Sequence, residues 1–285
     1  MMSVIFVSAL LSFNITHAQR LYINAAGGMM NYAGDLQSKH FTFQQAHLAL
    51  GFGLSYKLTG HIYVSTNYMF GKVNADDKYS TDFKKRNLNF SSNIQEGNLV
   101  IEGDIFDITK NIPATLYIFG GAGAYHFNPY TFDTARNKVF LQPLGTEGQD
   151  LPQYPERKKY SLTQFNLVYG PGIKYAITPQ FIFAFEIGFR TLFTDYLDDV
   201  STTYPDQAVL LNARGPLAAK LSFRGDELNP PTTIRSDRQR GNTGRNDTYY
   251  FCIFKLSYGL HFEGGSGRHF SSKIRRQSEC PKKVL

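Results

Sequence analysis

The sequence predicts an all-β chain: an up-and-down antiparallel transmembrane β-barrel of about eight strands with long extracellular loops. Three observations predict it. Apolar residues recur with a period of two along stretches of about ten residues, as strands require and helices do not. Short turns alternate with long polar loops. Aromatic residues make up 15% of the chain, and 25 glycines are interleaved with its strands. At 42% hydrophobic and 19% charged, the 285 residues are too apolar for a disordered chain. No stretch after residue 18 has the roughly 18 consecutive apolar residues of a membrane helix.

Residues 1–18 read as a secretory signal peptide, with an apolar core from Val4 to Leu11 and Thr16-His17-Ala18 before the cleavage point. The basic segment that opens such signals is missing, since neither Lys nor Arg precedes Arg20. The barrel is expected over 19–262, followed by a basic periplasmic tail over 263–285.

Strands are predicted, in order, at 20–30, 45–57, 61–72, 93–106, 115–126, 162–177, 180–192 and 248–262. In the second, Leu48, Leu50, Phe52, Leu54 and Tyr56 alternate with Ala49, Gly51, Gly53, Ser55 and Lys57. In the fourth, Leu99, Ile101 and Ile105 alternate with Glu96, Asn98, Glu102 and Asp104. The sixth sets Phe165, Leu167, Tyr169, Ile173 and Tyr175 against Gln164, Asn166, Gly170, Gly172 and Lys174. The seventh is the clearest, with Phe181, Phe183, Phe185, Ile187 and Phe189 opposed to Ala184, Glu186, Gly188 and Arg190. The last sets Tyr250, Phe254, Leu256, Tyr258, Leu260 and Phe262 against Lys255, Ser257, Gly259 and His261. A soluble sandwich also alternates, so the second face decides. It mixes Gly, Ser and Asn with charges of both signs, which suits the lumen of a narrow barrel.

The connections 58–60, 107–114 and 178–179 are short, whereas 31–44, 73–92, 127–161 and 193–247 are long and polar. An even strand number then leaves both termini on the short-turn, periplasmic side of a Gram-negative outer membrane. Eight strands enclose only enough space for their own side chains, so a wide pore is not expected. The inward charges Glu96, Glu102, Asp104 and Glu186 are expected to pair with Lys57, Lys174, Lys255 and Arg190, because isolated buried charges cost several kcal/mol.

Chemical motifs are sparse. The chain has no G-x-S-x-G elbow, phosphate loop or H-E-x-x-H zinc motif, and Cys252 and Cys280 are too few for a cysteine zinc site. His126 and Ser161 lie near strand ends where a rim enzyme could use them, but two common residue types so placed are close to chance. The carboxylates of Thr194-Asp-Tyr-Leu-Asp-Asp-Val-Ser201 lack the spacing of a calcium loop and read as turn and cap formers. Pro205 to Leu221 is helix-prone, broken at Gly215-Pro216. No catalytic residue, metal or cofactor is assigned.

The net charge of +7 is concentrated in 214–246 and 263–285, each carrying +4. These segments read as a polar loop and a tail, not a folded basic face with stacking aromatics, so nucleic acid is not an expected partner. The tail has two readings: a solvated charge run, or a docking segment for an acidic periplasmic partner.

Asn31-Tyr-Ala-Gly-Asp-Leu36, Arg86-Asn-Leu-Asn-Phe90 and Phe127-Asn-Pro129 resemble landmarks of a Bacteroidota outer-membrane barrel family. The most specific landmark is the segment containing Asp195, Tyr196, Leu197, Asp198 and Asp199; with it go Asn31, Tyr32, Gly34, Asp35 and Leu36. The family includes the PorG-type barrel of the type IX secretion and gliding machinery. The resemblance implies a non-enzymatic barrel embedded in outer-membrane lipid, with secretion-machine lipoproteins of the periplasm as its partners. The alternatives are a small channel or ligand-binding barrel and, behind them, a rim-active lipid enzyme.

Overall fold

A computed structural model of the chain describes residues 21–37, 42, 44–80, 83–108, 112–178, 180–233 and 238–260. The predicted signal peptide, the basic tail, His261 and Phe262 lie outside them. The strands are β1 (Leu21–Ala33), β2 (His47–Lys57), β3 (Ile62–Asp76), β4 (Asn89–Asp104), β5 (Ala114–His126), β6 (Tyr130–Phe132), β7 (Lys138–Phe140), β8 (Thr163–Ala176), β9 (Phe181–Leu192) and β10 (Thr248–Leu260). Two short helices, α1 (Gln207–Arg214) and α2 (Pro216–Ser222), fall in the helix-prone segment around Gly215. Among the described residues no helix is long and apolar enough to cross a membrane.

The eight long strands form a closed antiparallel barrel in the order β3-β2-β1-β10-β9-β8-β5-β4, shut by the β3–β4 ladder. Closure leaves these strands without a free edge. The β8–β9 ladder skips the pairs between Tyr169↔Phe189 and Gly172↔Glu186. Pro171 sits in that gap, and its lack of an N–H accounts for a missing rung.

The period of two resolves into two surfaces. Ile118 and Phe165 are each 71% exposed and Leu48 is 68% exposed, all facing outward. Their inward neighbours Phe119, Asn166 and Ala49 are buried. The stretch of β4 and its turn from Gln95 to Ile105 spans this exterior; at ~3.3 Å per residue and a ~40° tilt that is about 25 Å, the height of a membrane-facing band.

Three strand ends run three or more residues past the sequence expectation, and one hairpin was not expected. β3 and β4 continue past 72 and before 93, pairing from Val73↔Ser92 to Asp76↔Asn89 within the segment read as a loop. Val73, Ala75 and Phe90 point inward there and join a core that also holds Met30, Tyr32, Tyr125, Phe127, Leu192, Leu197, Tyr249 and Phe251. That core sits at the long-loop end, so the loops there have an apolar seat. The 127–161 segment supplies the small hairpin β6–β7, attached to β4 through Ser91↔Tyr130. β1 likewise runs on to Ala33, past the expected end at residue 30.

Candidate functional site

Two layers of polar residues fill the barrel axis. In the lower layer, Glu102 from β4 accepts from Lys174 of β8 at 2.7 Å, Lys255 of β10 at 3.1 Å and Ser65 of β3 at 2.6 Å. Lys174 also holds Asp104 at 2.8 Å, and Lys255 holds Glu186, which accepts from the Tyr117 hydroxyl. Gly172 makes room for Tyr117, since a Cβ there would lie 2.5 Å from the phenol ring. Higher up, Arg190 grips Glu96 with Nη2 at 3.1 Å and Nε at 3.2 Å. Glu96 also accepts from Tyr249 at 2.5 Å, Asn98 at 2.7 Å and Asn166 at 3.0 Å. With these contacts each buried charge has a counter-charge, the main condition on which it is tolerated, while Asp104 Oδ2 has no hydrogen-bond partner among the described residues.

Of the residues expected in a lumen network, the structure brings Glu96, Glu102, Asp104, Lys174, Glu186, Arg190 and Lys255 into contact in two groups, and places Lys57 elsewhere. Lys57 pairs with Asp107, at 3.1 Å, rather than with Glu96, Glu102, Asp104 or Glu186. It is the last residue of β2, so its side chain reaches the short-turn end, where Asp107 stands just after β4. Between the layers lies a cavity of about 20 Å³ bounded by Asn24, Asn67, Asn98, Glu102 and Arg190, room for a single water molecule.

The long loops fold over the mouth into a polar cap. Tyr32, the penultimate residue of β1, sends its hydroxyl to Asp198 Oδ2 at 2.6 Å and Asp247 Oδ1 at 2.8 Å. A phenol has one proton, so it can donate fully to only one of them; the other contact is satisfied when that carboxyl is protonated and donates to the phenol oxygen. Asp198 Oδ1 accepts from the Val200 amide and Asp247 Oδ2 from the Leu197 amide, each at 2.9 Å. A Cβ at Gly34 would run into Asp247 and the Tyr32 hydroxyl, so this position accepts only glycine without a shift.

Two arginines tie the cap together. Arg86 forms a bidentate pair with Asp77 at 2.7 and 2.8 Å, donates to the Asp35 carbonyl at 3.0 Å and reaches the Arg240 carbonyl. Arg240 Nη1 binds Glu147 at 2.9 Å and the Asp199 carbonyl at 2.5 Å, while its Nε reaches the Ser222 carbonyl at 3.1 Å. Glu147 in turn accepts from the Ser201 and Thr202 amides at 2.9 and 3.0 Å. Asp199, at a left-handed φ of 64°, takes the hydroxyls of Thr146 at 2.5 Å and Tyr160 at 2.7 Å. Asp195 accepts from Ser201 at 2.5 Å, and Tyr196 stacks on Tyr160 at 4.9 Å. Asp35 accepts the Asn242 amide at 2.7 Å.

Burial pushes the Asp198 and Asp247 carboxyls well above their ordinary range, and the nearby Asp35 charge adds to this for both. Burial raises Asp199 to about 6, against the opposing pull of Arg240. Asp35, Asp77 and Asp195 are raised for the same first reason. Burial thus makes it costly to ionise all six of these aspartates at once.

The structure thus brings Asn31, Tyr32, Gly34, Asp35, Leu36, Asp195, Tyr196, Leu197, Asp198 and Asp199 into one assembly, although they come from two distant segments. The carboxylates of 194–201 act as turn and loop anchors, as their composition suggested. Four members were not read from sequence: Asp77, Glu147, Arg240 and Asp247. Each is a charged residue in a polar loop with no local pattern to mark it, and only Asp247, directly before β10, had a positional hint. Arg224 and Arg240 of the basic 214–246 stretch are buried and paired, with Glu227 and Glu147 respectively, so part of that charge is spent inside the cap. His126 and Ser161 do not face each other: His126 contacts the Thr163 hydroxyl at 2.9 Å and Ser161 donates to the Thr163 carbonyl at 2.8 Å.

The sequence profile of the family described as domain of unknown function (DUF6089) matches residues 1–214. No curated protein matches the chain. Among solved structures it is similar to Neisserial surface protein A (NspA), at 9% identity and a TM-score of 0.44, covering 84% of this chain and 97% of that one. It is also similar to the attachment invasion locus protein Ail of Yersinia pestis, at 8% identity, TM-score 0.40, with 86% and 100% covered. A third is a major outer membrane protein of Thermus thermophilus, at 12% identity, TM-score 0.37, with 86% and 100% covered.

Proposed function

We propose that this chain, which belongs to the DUF6089 family, is a non-enzymatic outer-membrane barrel that serves as a structural or interaction component rather than as a pore. The observation that carries the reading is the closed interior. Below, four carboxylates and the cations Lys174, Arg190 and Lys255 interlock across the lumen; above, an apolar core and the Arg86–Arg240 cap seal the mouth. The cavity between the two charge layers holds about 20 Å³, room for one water and not for a larger solute, which argues against the small-channel alternative. What such a molecule offers is its two ends and its lipid-facing wall.

The more specific reading is a PorG-type component of a Bacteroidota type IX secretion or gliding machine, with both termini periplasmic and a periplasmic lipoprotein as partner. Its support is the resemblance of the four landmark segments, three of which meet in one cap through Tyr32, Arg86 and Asp198, with Phe127 in the core beneath. In this reading the basic tail, with Arg268, Lys273, Arg275, Arg276, Lys282 and Lys283, captures an acidic partner. Cross-linking and pull-down from native outer membranes tests it: the full chain should retain a periplasmic lipoprotein, and truncation after Phe262 should lose it while the barrel still assembles. A truncated barrel that keeps the partner discards the tail's role, and recovery of no secretion-machine protein by the full chain discards the specific reading.

A further inference from the structure

The β6–β7 hairpin is a feature that neither the barrel nor the cap accounts for. Its two faces differ. Thr131 and Val139 point inward, where Thr131 accepts from Arg224 at 3.0 Å and Val139 packs on the cap core. The register Tyr130↔Phe140 and Phe132↔Lys138 puts these four side chains together on the opposite, outward face. Phe132 is 48% and Phe140 41% exposed, while Tyr130 is buried beneath them with ring centroids at 5.9 and 6.1 Å.

The height of this face follows from the ladders. Phe70 is the last apolar outward residue of β3; the next outward residue, Lys72, lies about 7 Å further along the strand. The following row is Asn74↔Ser91↔Tyr130↔Phe140, another ~7 Å on. The hairpin therefore stands directly on the long-loop edge of the lipid-facing band, continuous with it. Two cations frame the face: Lys72 Nζ lies 5.7 Å and Lys138 Nζ 3.9 Å from the Tyr130 ring centroid, and Lys138 is 4.8 Å from that of Phe140. Neither lysine is in an ion pair with a described carboxylate.

We propose that this face binds the phosphorylated sugar headgroup of an outer-leaflet glycolipid, with Lys72 and Lys138 taking the phosphate and Phe140 and Phe132 lying against the sugar. The inference rests on the outer-membrane reading above. The chemistry fits the order of the rows: acyl chains against Phe70, anionic phosphate at Lys72, and the apolar C–H face of a sugar ring against exposed aromatics above it. Exposed phenylalanines at this height lie above the hydrocarbon, where a bare apolar face would otherwise meet water, and stacking on a sugar removes that cost. The paired lysines supply the attraction for phosphate and make it depend on salt.

The test uses the full chain refolded in zwitterionic detergent and titrated with diphosphoryl lipid A, with phosphatidylglycerol as comparison, bound lipid being counted by native mass spectrometry. Wild type should prefer diphosphoryl lipid A, and Lys72→Gln with Lys138→Gln should weaken that binding at least tenfold. Phe132→Ser with Phe140→Ser should abolish the preference over phosphatidylglycerol. Heat-modifiable migration of each protein reads barrel formation separately. Unchanged lipid A binding by a folded lysine variant, or equal binding of both lipids by wild type, overturns the hairpin site and leaves the outer-membrane barrel standing.

Discussion

Tyr32 and Asp198, 166 positions apart in the chain, meet at 2.6 Å, and Asp247 completes the contact from the other side of the same hydroxyl at 2.8 Å. One phenolic proton between two buried carboxyls ties the end of β1 to the 193–247 loop and to the start of β10. Tyr32→Phe should remove both contacts and leave two buried acids short of a partner, at a cost of about 1–3 kcal/mol. Hydrogen exchange should then rise at Leu197 and Val200, whose amides bind the same carboxylates, while the β4–β5 ladder below stays protected.

The cap should respond to pH in the sense opposite to a salt-bridged carboxylate. Asp198, Asp199 and Asp247 have folded pKa values above their unfolded ones, so the folded cap binds more protons than the open one across that interval. Stability should rise as pH falls from 7 toward the ordinary carboxylate range, with Asp199 contributing between about 6 and 4. Limited proteolysis of the loops at pH 5 and pH 8 checks this: cleavage should be slower at pH 5, and Asp198→Asn should flatten the difference. Faster cleavage at pH 5 would contradict the assignment of these carboxyls.

In the lumen, Glu102→Gln keeps the shape of the side chain but removes the carboxylate that Lys174 and Lys255 share, leaving Lys174 with Asp104 and Lys255 with Glu186. The expected loss is about 1–3 kcal/mol, seen as a lower temperature of conversion from the fast-migrating folded form in detergent gels. Lys174→Met should cost more, about 3–5 kcal/mol, because Asp104 is then buried without a cation.

On β9, Phe185→Arg places a charge among lipid-facing rings packed at 5.2 Å from Phe254 and should cost about 2–4 kcal/mol near mid-membrane. Ala184→Ser, one residue along and facing inward, should cost much less. Urea titration of the refolded proteins in liposomes measures both, and equal costs would mean the faces are assigned the wrong way round.

Most of the barrel was legible because its signal is local. Alternation in Phe181–Arg190 or Leu99–Asp104 states directly which side chains face the bilayer and which face the lumen. The extensions of β3 and β4 were not legible, since Val73, Ala75 and Phe90 sit among Lys, Asn and Asp, and only the core they join shows why they are strand. The three-residue strands β6 and β7 are too short for any period to appear. The lumen charges could be named but not matched: Lys57 alternates correctly, yet its level along the axis, which sends it to Asp107, is set by register with β3 and β4. The cap lay furthest from view. Arg240 meets Glu147, 93 positions away, and no local pattern records such a meeting.

The barrel as described turns its exterior to lipid and its interior to itself. The chain contains no tryptophan, so a single one introduced anywhere is a unique fluorescent reporter. Ile118 and Phe119 are neighbours on β5, one 71% exposed and the other 8%. Ile118→Trp and Phe119→Trp, each refolded into liposomes whose acyl chains carry bromine, give the decisive comparison. Fluorescence of the Ile118→Trp protein should be strongly quenched by the brominated chains and that of the Phe119→Trp protein should not; equal quenching of the two, or none in either, would contradict the barrel as described.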